Sequence, residues 1–226
     1  MNRMQSEIQR LYPPAPLANS ADGDTRHAVL QAQCPPGWPG LRQVWEGVQA
    51  ELGWPAPGIA VNGRDAYQLW FSFAQPLPLA QAQALVRHLI ARFLPDVDAR
   101  RLRVLPDVDA PLPTPPQAQP SGNWSAFVSP DLAAVFGDEP VLDIPPGDEA
   151  QAELLARLRS VPAEAVADAL QGMAPPPSPA PALPALGTKT EWQTPRDFLM
   201  HVMNDPATPL ALRIEAARAL LATDKG

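Results

Sequence analysis

The sequence predicts an α+β fold: a small mixed sheet with packed helices, then a proline-rich linker and a C-terminal αα-hairpin. Extended apolar runs and helical apolar stripes follow one another through the first three quarters of the chain. The dipeptide Asn62-Gly63 separates two extended runs, which is typical of a β-hairpin. Prolines then concentrate at 175–184 and favour an extended spacer. The predicted parts are a domain over 1–172, a linker over 173–190 and a helical hairpin over 191–226.

Each element follows from its local pattern. Strands are predicted at 27–32, at 101–105, at 123–128 and in both arms of the hairpin at 58–73. Helices are predicted before Pro13 and at 41–52, 79–94, 131–136, 148–158 and 162–170. Alternation along the second hairpin arm places on one face Tyr67, Leu69, Phe71 and Phe73. The same alternation places on the other face Gln68, Trp70 and Ser72.

Composition limits the function classes. The formal net charge of −7 and the pI of about 4.9 argue against a broad nucleic-acid-binding surface but leave room for a local basic groove. Cys34 is the only cysteine, so no disulfide within the chain and no multi-cysteine zinc site is expected. Neither a signal-peptide core nor an apolar run long enough for a membrane helix occurs. We therefore expect no membrane partner and a cytoplasmic location.

Residues 28–105 resemble the catalytic core of the archaeo-eukaryotic primase superfamily. The run Tyr67-Gln68-Leu69-Trp70 matches the family's Tyr-His-Leu-Trp-like strand, and Pro76 and Pro78 match the entry into its next helix. Arg103-Val104-Leu105-Pro106 matches its later strand. The resemblance implies a primase-like fold with a nucleotide groove. The same resemblance implies that four residues bind nucleic acid: Arg64, Gln68, Arg101 and Arg103.

The catalytic residues of that family are missing from this sequence. Its paired carboxylates hold two divalent metals, but the corresponding strand here is Ala28-Val29-Leu30-Gln31-Ala32. Its phosphate-contacting histidine falls on Gln68, which carries no titratable charge. We therefore predict no catalytic residue, no metal site and no cofactor. The aspartate pairs Asp96/Asp98 and Asp107/Asp109 are interpreted as turn residues beside proline or glycine.

The C-terminal segment resembles the tail of some phage terminase small subunits. Residues 194–206 follow their Thr-Pro, Phe-Leu, Met and Asp-Pro spacing, and an arginine- and alanine-rich helix comes after. Such a short apolar stripe is small for a core of its own, so a partner or a second copy is expected to complete it. The predicted partner-binding residues are Phe198, Val202, Met203, Ile214 and Leu221.

These patterns predict a non-catalytic phage or mobile-element accessory protein that binds DNA or a replication or packaging partner. Two alternatives stay open. One is an active, primase-like nucleotidyltransferase that uses Asp22 and Asp24, since alternation would place both carboxylates on one face before the first strand. The other is a protein-interaction module without nucleic-acid contact, which the acidic pI favours.

Overall fold

The computed structural model of the protein describes residues 2–13, 23–106, 112–173, 194–205, 208 and 210–223. The chain divides into two units, Met1–Pro175 and Pro176–Gly226. The strands are β1 (Asp24–Gln33), β2 (Gly58–Val61), β3 (Ala66–Pro78), β4 (Leu102–Leu105), β5 (Gln117–Ala118) and β6 (Trp124–Val128). The helices of the first unit are α1 (Arg3–Leu11), α2 (Gly37–Ala50), α3 (Leu79–Phe93), α4 (Pro130–Val135), α5 (Asp148–Ala156) and α6 (Ala163–Met173). Those of the second unit are α7 (Pro195–Asn204) and α8 (Leu210–Thr223).

The six strands form one curled sheet in the order β4-β1-β3-β2-β6-β5. The predicted α+β class is confirmed. The segment from β1 to β4 has the order strand, helix, strand, strand, helix, strand, and its sheet order β4-β1-β3-β2 is that of the ferredoxin-like split βαβ unit. Strand β6 extends this sheet beside β2 and carries β5 at its outer edge.

The sheet differs from the predicted mixed sheet in one respect, because every ladder between these strands is antiparallel. The physical reason is that each crossover helix skips one strand. Helix α2 connects β1 to β2, which have β3 between them, and α3 connects β3 to β4, which have β1 between them. Parallel strands therefore never become neighbours. A parallel bridge does join Phe73 to Val161, outside the named ladders.

One face of the sheet packs against α2 and α3. The alternate residues of β3 lie on this face as predicted, and Tyr67, Leu69, Phe71 and Phe73 are all buried in the larger core cluster. Helix α2 contributes Leu41, Val44 and Val48, and α3 contributes Leu85 and Leu89, to the same cluster. This layer is the main hydrophobic core of the first unit.

The opposite face is covered as well. Leu11 at the end of α1 and Leu155 of α5 pack against Val29, Trp70 and Phe127 in a second cluster. An Asn2–Gln5 capping box starts α1 and satisfies two backbone N–H groups at its first turn. At its other end, Arg10 donates hydrogen bonds to the carbonyl oxygens of Leu155 and Leu158, which satisfies the end of α5. The sheet is thus sealed on both faces along most of its width.

The β2–β3 turn is longer than the Asn62-Gly63 dipeptide alone. Asn62 Oδ1 accepts hydrogen bonds from the backbone N–H groups of Arg64, Asp65 and Ala66. Gly63 takes φ +73°, which favours glycine at that position. The turn therefore spans residues 62–65, and it sets the register of β3 against β2.

The second unit contains a helical hairpin. Thr194 Oγ1 caps α7 by accepting from the Asp197 N–H at 3.2 Å. Arg213 Nε of α8 donates to the Met203 carbonyl oxygen of α7 at 2.9 Å, and Ala216 and Leu220 are buried. Across both units, none of the described helices is long and apolar enough to cross a membrane.

Leu69 provides the direct test of the β3 register. Its side chain is fully buried in the main core, so we expect Leu69→Ala to lower the free energy of unfolding by about 2–5 kcal/mol. Urea denaturation followed by circular dichroism measures this loss. Leu132→Ala on α4, where the side chain is 42% exposed, is the control and should change stability by no more than about 0.5 kcal/mol. Equal, small losses in both variants would contradict the register.

Candidate functional site

Three side chains on the α1 face of the sheet form a directed chain of hydrogen bonds. Trp70 Nε1 donates to Gln68 Oε1 at 3.0 Å, and Gln68 Nε2 donates to Gln31 Oε1 at 2.9 Å. Trp70 is fully buried and Gln68 is 5% exposed. The chain of bonds runs along β3 and then across to β1, and we call these three residues the amide relay.

The direction of the amide relay is fixed by chemistry. An indole N–H is only a donor, so the atom that Trp70 contacts must be the Gln68 oxygen. The Gln68 nitrogen then faces Gln31 and donates, which makes the contacted Gln31 atom its oxygen. The Gln31 amide nitrogen is left at the outer end of the relay, and no acceptor for it lies among the residues that the structure describes. Gln31 itself is half-buried.

Arg103 lies directly opposite Gln31, on the edge strand β4. Gln31 of β1 is directly opposite Gln68 of β3 on one side and Arg103 of β4 on the other, so the three side chains form a cross-strand row on one face. Side chains that are directly opposite have Cβ atoms about 5 Å apart. Arg103 is exposed and makes neither an ion pair nor a hydrogen bond with any described residue. The end of the row is thus a pair of donors without an acceptor among the described residues, and we call it the Gln31–Arg103 pair.

The other two residues implied by the primase resemblance lie apart from this row. Arg64 lies in the β2–β3 turn, and its Nε donates to Gln119 Oε1 at 2.9 Å. Arg101 lies in a short 3-10 helix before β4, and its Nη1 donates to the carbonyl oxygens of Cys34 and Pro35 at the end of β1. Both guanidinium groups are exposed and hold neighbouring loops. Of the four residues, the structure brings Gln68 and Arg103 into one row.

A groove of about 450 Å³ adjoins the row where α3 passes the edge strand β4. Arg87 of α3 and Arg103 of β4 both line it. Arg100 and Arg101 precede β4 and are exposed. These four arginines have no carboxylate partner in the described parts of the chain, whereas other arginines do pair with glutamates. Those ion pairs are Arg3–Glu149, Arg10–Glu7, Arg42–Glu46 and Arg92–Glu51.

Unpaired arginines raise the local potential even in a chain of net charge −7. The Gln31–Arg103 pair supplies both a neutral amide donor and a planar guanidinium, and this combination suits the oxygens of a phosphate or a carboxylate. The arrangement presents hydrogen-bond donors and a positive charge, and neither group is a nucleophile.

The aspartates do not assemble a metal site in the described ranges. No group of three or more His, Cys, Asp or Glu side chains lies there that could hold a metal ion. Asp24 is exposed at the start of β1, and Asp22, Asp107 and Asp109 lie outside the described residues. Asp98 accepts from the Arg100 N–H at 2.9 Å and so caps the 3-10 helix, as the turn interpretation predicted.

Cys34 has the chemistry of a structural thiol. Burial, followed by the charges of Asp138 and Asp65, raises the pKa of Cys34 to about 11. A thiol with a raised pKa is a poor nucleophile at neutral pH.

The residues predicted to bind a partner are spread over the C-terminal hairpin. Phe198 and Ile214 are 38% and 46% exposed, and Val202 and Met203 are half-buried. The side chain of Leu221 lies outside the described residues. Apolar surface is therefore present on both α7 and α8, and a partner role for it stays a prediction.

Gln31 is the site residue that sequence reasoning missed. Its signal was a single polar residue within the apolar run Ala28–Ala32, which was noted there only for lacking a carboxylate. A polar side chain inside a buried strand needs a hydrogen-bond partner. That requirement pointed to another polar residue on a neighbouring strand, which the structure identifies as Gln68.

No protein-family model and no curated protein matches this chain.

His27 occupies the same sheet face, two residues before Val29. It is 7% exposed, stacks on Trp70 with ring centroids 5.9 Å apart and meets the edge of Tyr12. Its Nδ1 is buried and has no hydrogen-bond partner among the residues that the structure describes. Burial lowers the pKa of His27 to about 4, because the charged ring would lose its hydration.

This environment predicts a specific pH dependence of stability. The unfolded chain, with a histidine pKa of about 6.5, binds the proton more readily than the folded chain. The contribution of neutral His27 to the free energy of unfolding is therefore fully present above pH 6.5 and is lost as the pH falls towards 4. Between neutral pH and about pH 5, we expect the free energy of unfolding of the wild type to fall by about 2 kcal/mol more than that of the His27→Phe variant. Urea denaturation over this pH range measures the difference.

His88→Phe is the matched control, since His88 is half-buried on α3, away from this face. This control should keep the wild-type pH profile. Identical profiles for wild type and His27→Phe would contradict the buried, neutral state of His27.

Proposed function

We propose that this protein is a non-catalytic accessory factor of a phage or mobile element, and that it binds DNA phosphates at the Gln31–Arg103 pair. The observation that carries the proposal is the pair of donors at the end of the amide relay, which has no acceptor within the described residues. The unpaired arginines around the adjoining groove supply the long-range attraction. Cytoplasmic placement belongs to the same proposal.

The non-catalytic part of the proposal is supported by residue identity. The strand that would carry paired carboxylates in the primase-like core presents Val29 and Gln31 on the α1 face. Amide donors attract a phosphate without aligning two metal ions for transfer. The site thus combines phosphate recognition with side chains that do not support nucleotidyl transfer.

A second binding function is favoured by the C-terminal hairpin. Met200, Leu212 and Ile214 are 44%, 50% and 46% exposed, and exposed apolar side chains on a small helical unit are typical of protein contact sites. We propose a replication or packaging protein, or a second copy of this chain, as the partner of that surface. The terminase-like spacing of residues 194–206 supports the same assignment.

The DNA-binding proposal predicts that Gln31→Glu abolishes the anion site without disturbing the relay. The new carboxylate still accepts from Gln68 Nε2 and forms an ion pair with Arg103, so the strand row remains satisfied. We expect DNA affinity to fall by about tenfold or more, because a charge-assisted contact is removed and a negative charge is added. Fluorescence anisotropy of labelled DNA over a salt series measures both the affinity and the salt slope.

Gln43→Glu on the exposed surface of α2 changes the net charge by the same amount and is the control. This control should retain wild-type affinity and slope. Equal losses in the two variants, or binding by wild type that does not depend on salt, would contradict phosphate recognition at this site.

A further inference from the structure

We infer that the outer edge of strand β4 binds an acidic, extended peptide segment of a partner protein, which adds to the sheet as a further strand. Within the described residues, β4 pairs only with β1. The inference goes beyond the proposed DNA binding and does not require it. The features that support it are unpaired backbone groups on β4, a helix that runs beside the strand, and arginines without carboxylate partners.

The backbone groups of Val104 point away from the sheet. Directly after β1, the Cys34 N–H donates to the Asp65 carbonyl oxygen at 2.9 Å, so the even-numbered residues at this end of β1 direct their backbone groups towards β3. Gln31 therefore directs its backbone groups towards β4, where it pairs with Arg103. Because this direction alternates along a strand, the N–H and the carbonyl oxygen of Val104 face the open edge.

The outward-facing groups on either side of Val104 have partners already. The Leu102 N–H donates to the Ala99 carbonyl oxygen, and the Pro106 carbonyl oxygen accepts from Gln83 Nε2 of α3 at 3.0 Å. Val104 keeps one donor and one acceptor without a partner among the described residues. A peptide backbone supplies both an acceptor and a donor, whereas the phosphodiester backbone of DNA supplies only acceptors. This edge therefore favours a peptide.

Helix α3 runs beside this edge in the direction opposite to β4. Its Gln83 reaches the residue that follows β4, and its Ile90 lines the same groove as Ala99, which precedes β4. The groove between helix and strand is also lined by Leu102 and Val104. Extended peptides bind exposed sheet edges by adding a strand, and their alternate side chains enter the neighbouring pockets. The apolar lining provides such a pocket on the α3 side.

The two faces of β4 select different side chains in the added strand. Arg103 is exposed on the α1 face together with Gln31, while Val104 packs against the main core on the α3 face. A peptide residue opposite Arg103 has its Cβ about 5 Å away, so a carboxylate there forms an ion pair. The next peptide residue lies beside Val104 and Ile90, where an apolar side chain fits. The preferred segment therefore alternates acidic and apolar residues.

Charge favours an acidic partner over a second copy of this chain. The arginines beside this edge have no carboxylate partner in the described parts of the chain: Arg87, Arg100, Arg101 and Arg103. Pairing the β4 strands of two copies would bring both sets of arginines along one short ladder, where like charges are destabilising. A peptide carboxylate at Arg103 would also exclude a phosphate from the same guanidinium group.

The test is amide hydrogen exchange of the ¹⁵N-labelled full chain, measured by nuclear magnetic resonance with the probe acetyl-Glu-Val-Glu-Val-Glu-Val-Glu-Val-amide. In the free chain we expect little protection of the Val104 N–H and more at Arg103 and Leu105, whose N–H groups face β1. Saturating probe should slow exchange at Val104 by about tenfold or more, because its N–H then donates to the added strand. A single-stranded oligonucleotide should not slow it.

A double-mutant cycle tests the ion pair by fluorescence anisotropy of the labelled probe. We expect Arg103→Ala to weaken binding of the probe by about tenfold, and to have no effect on a probe in which glutamine replaces glutamate. Arg42→Ala is the matched control, because Arg42 is an exposed arginine on α2 that pairs with Glu46, and it should leave both affinities unchanged.

Unchanged exchange at Val104 with bound probe would overturn the inference, and so would equal effects of Arg103→Ala and Arg42→Ala. A block peptide of the same composition, acetyl-Glu-Glu-Glu-Glu-Val-Val-Val-Val-amide, should bind more weakly, and equal binding would also contradict strand addition. Protection by the oligonucleotide alone would assign the edge to nucleic acid. Protection of Val104 in the free chain, together with a dimer in sedimentation, would assign it to a second copy.

Discussion

The buried indole N–H of Trp70 determines how this site is arranged. Because Trp70 is fully buried, its donor must find an acceptor within the protein, and Gln68 Oε1 provides it. Turning the Gln68 amide over would leave this donor unsatisfied at a cost of about 1–3 kcal/mol. The orientation of Gln68 then fixes that of Gln31 through a single further hydrogen bond. The buried hydrogen bond from Trp70 to Gln68 thus places the Gln31 amide nitrogen at the outer end of the relay, in the row that ends at Arg103.

The location of the site follows from how the sheet is covered. Helices α2 and α3 seal one face, while α1 and α5 seal the middle of the other by packing Leu11, Tyr12 and Leu155 over Trp70. A ferredoxin-like sheet with one open face would present a broad platform to nucleic acid. Helices α1 and α5 cover that platform here, and the recognition that we propose is restricted to the row that ends at Arg103 and to the neighbouring edge strand. A small anion site in an acidic protein is consistent with this restriction.

Local patterns predicted most of the elements and little of the site. Apolar periodicity predicted the helix at 79–94, and alternation predicted which face of β3 packs in the main core, since both depend only on neighbours in the chain. The sheet order was not accessible in the same way, because it depends on which strand each crossover helix skips. For that reason the antiparallel ladders replaced the predicted mixed sheet.

Predicting the amide relay would have required knowledge of contacts between residues that are far apart in the sequence. Gln31 and Gln68 are 37 positions apart, and they meet only because the β1–β3 register sets them directly opposite each other. Gln68 and Arg103 entered the sequence interpretation through the primase resemblance, but their shared row depends on β4 pairing beside β1. The packing of α1 against Trp70 could not be predicted either. An amphipathic stripe shows that a helix has an apolar face, but it does not show which surface that face covers.

The most direct test of the relay is a nuclear magnetic resonance titration of the ¹⁵N-labelled full chain with dimethyl phosphate, a minimal phosphodiester. We expect chemical-shift changes at the Gln31 side-chain amide and at the Arg103 Nε–H, and both should saturate together. The Gln68 amide, whose nitrogen already donates to Gln31, should respond less. Shifts concentrated on Arg64 or Arg101, or a Gln31 amide that does not respond, would contradict the account.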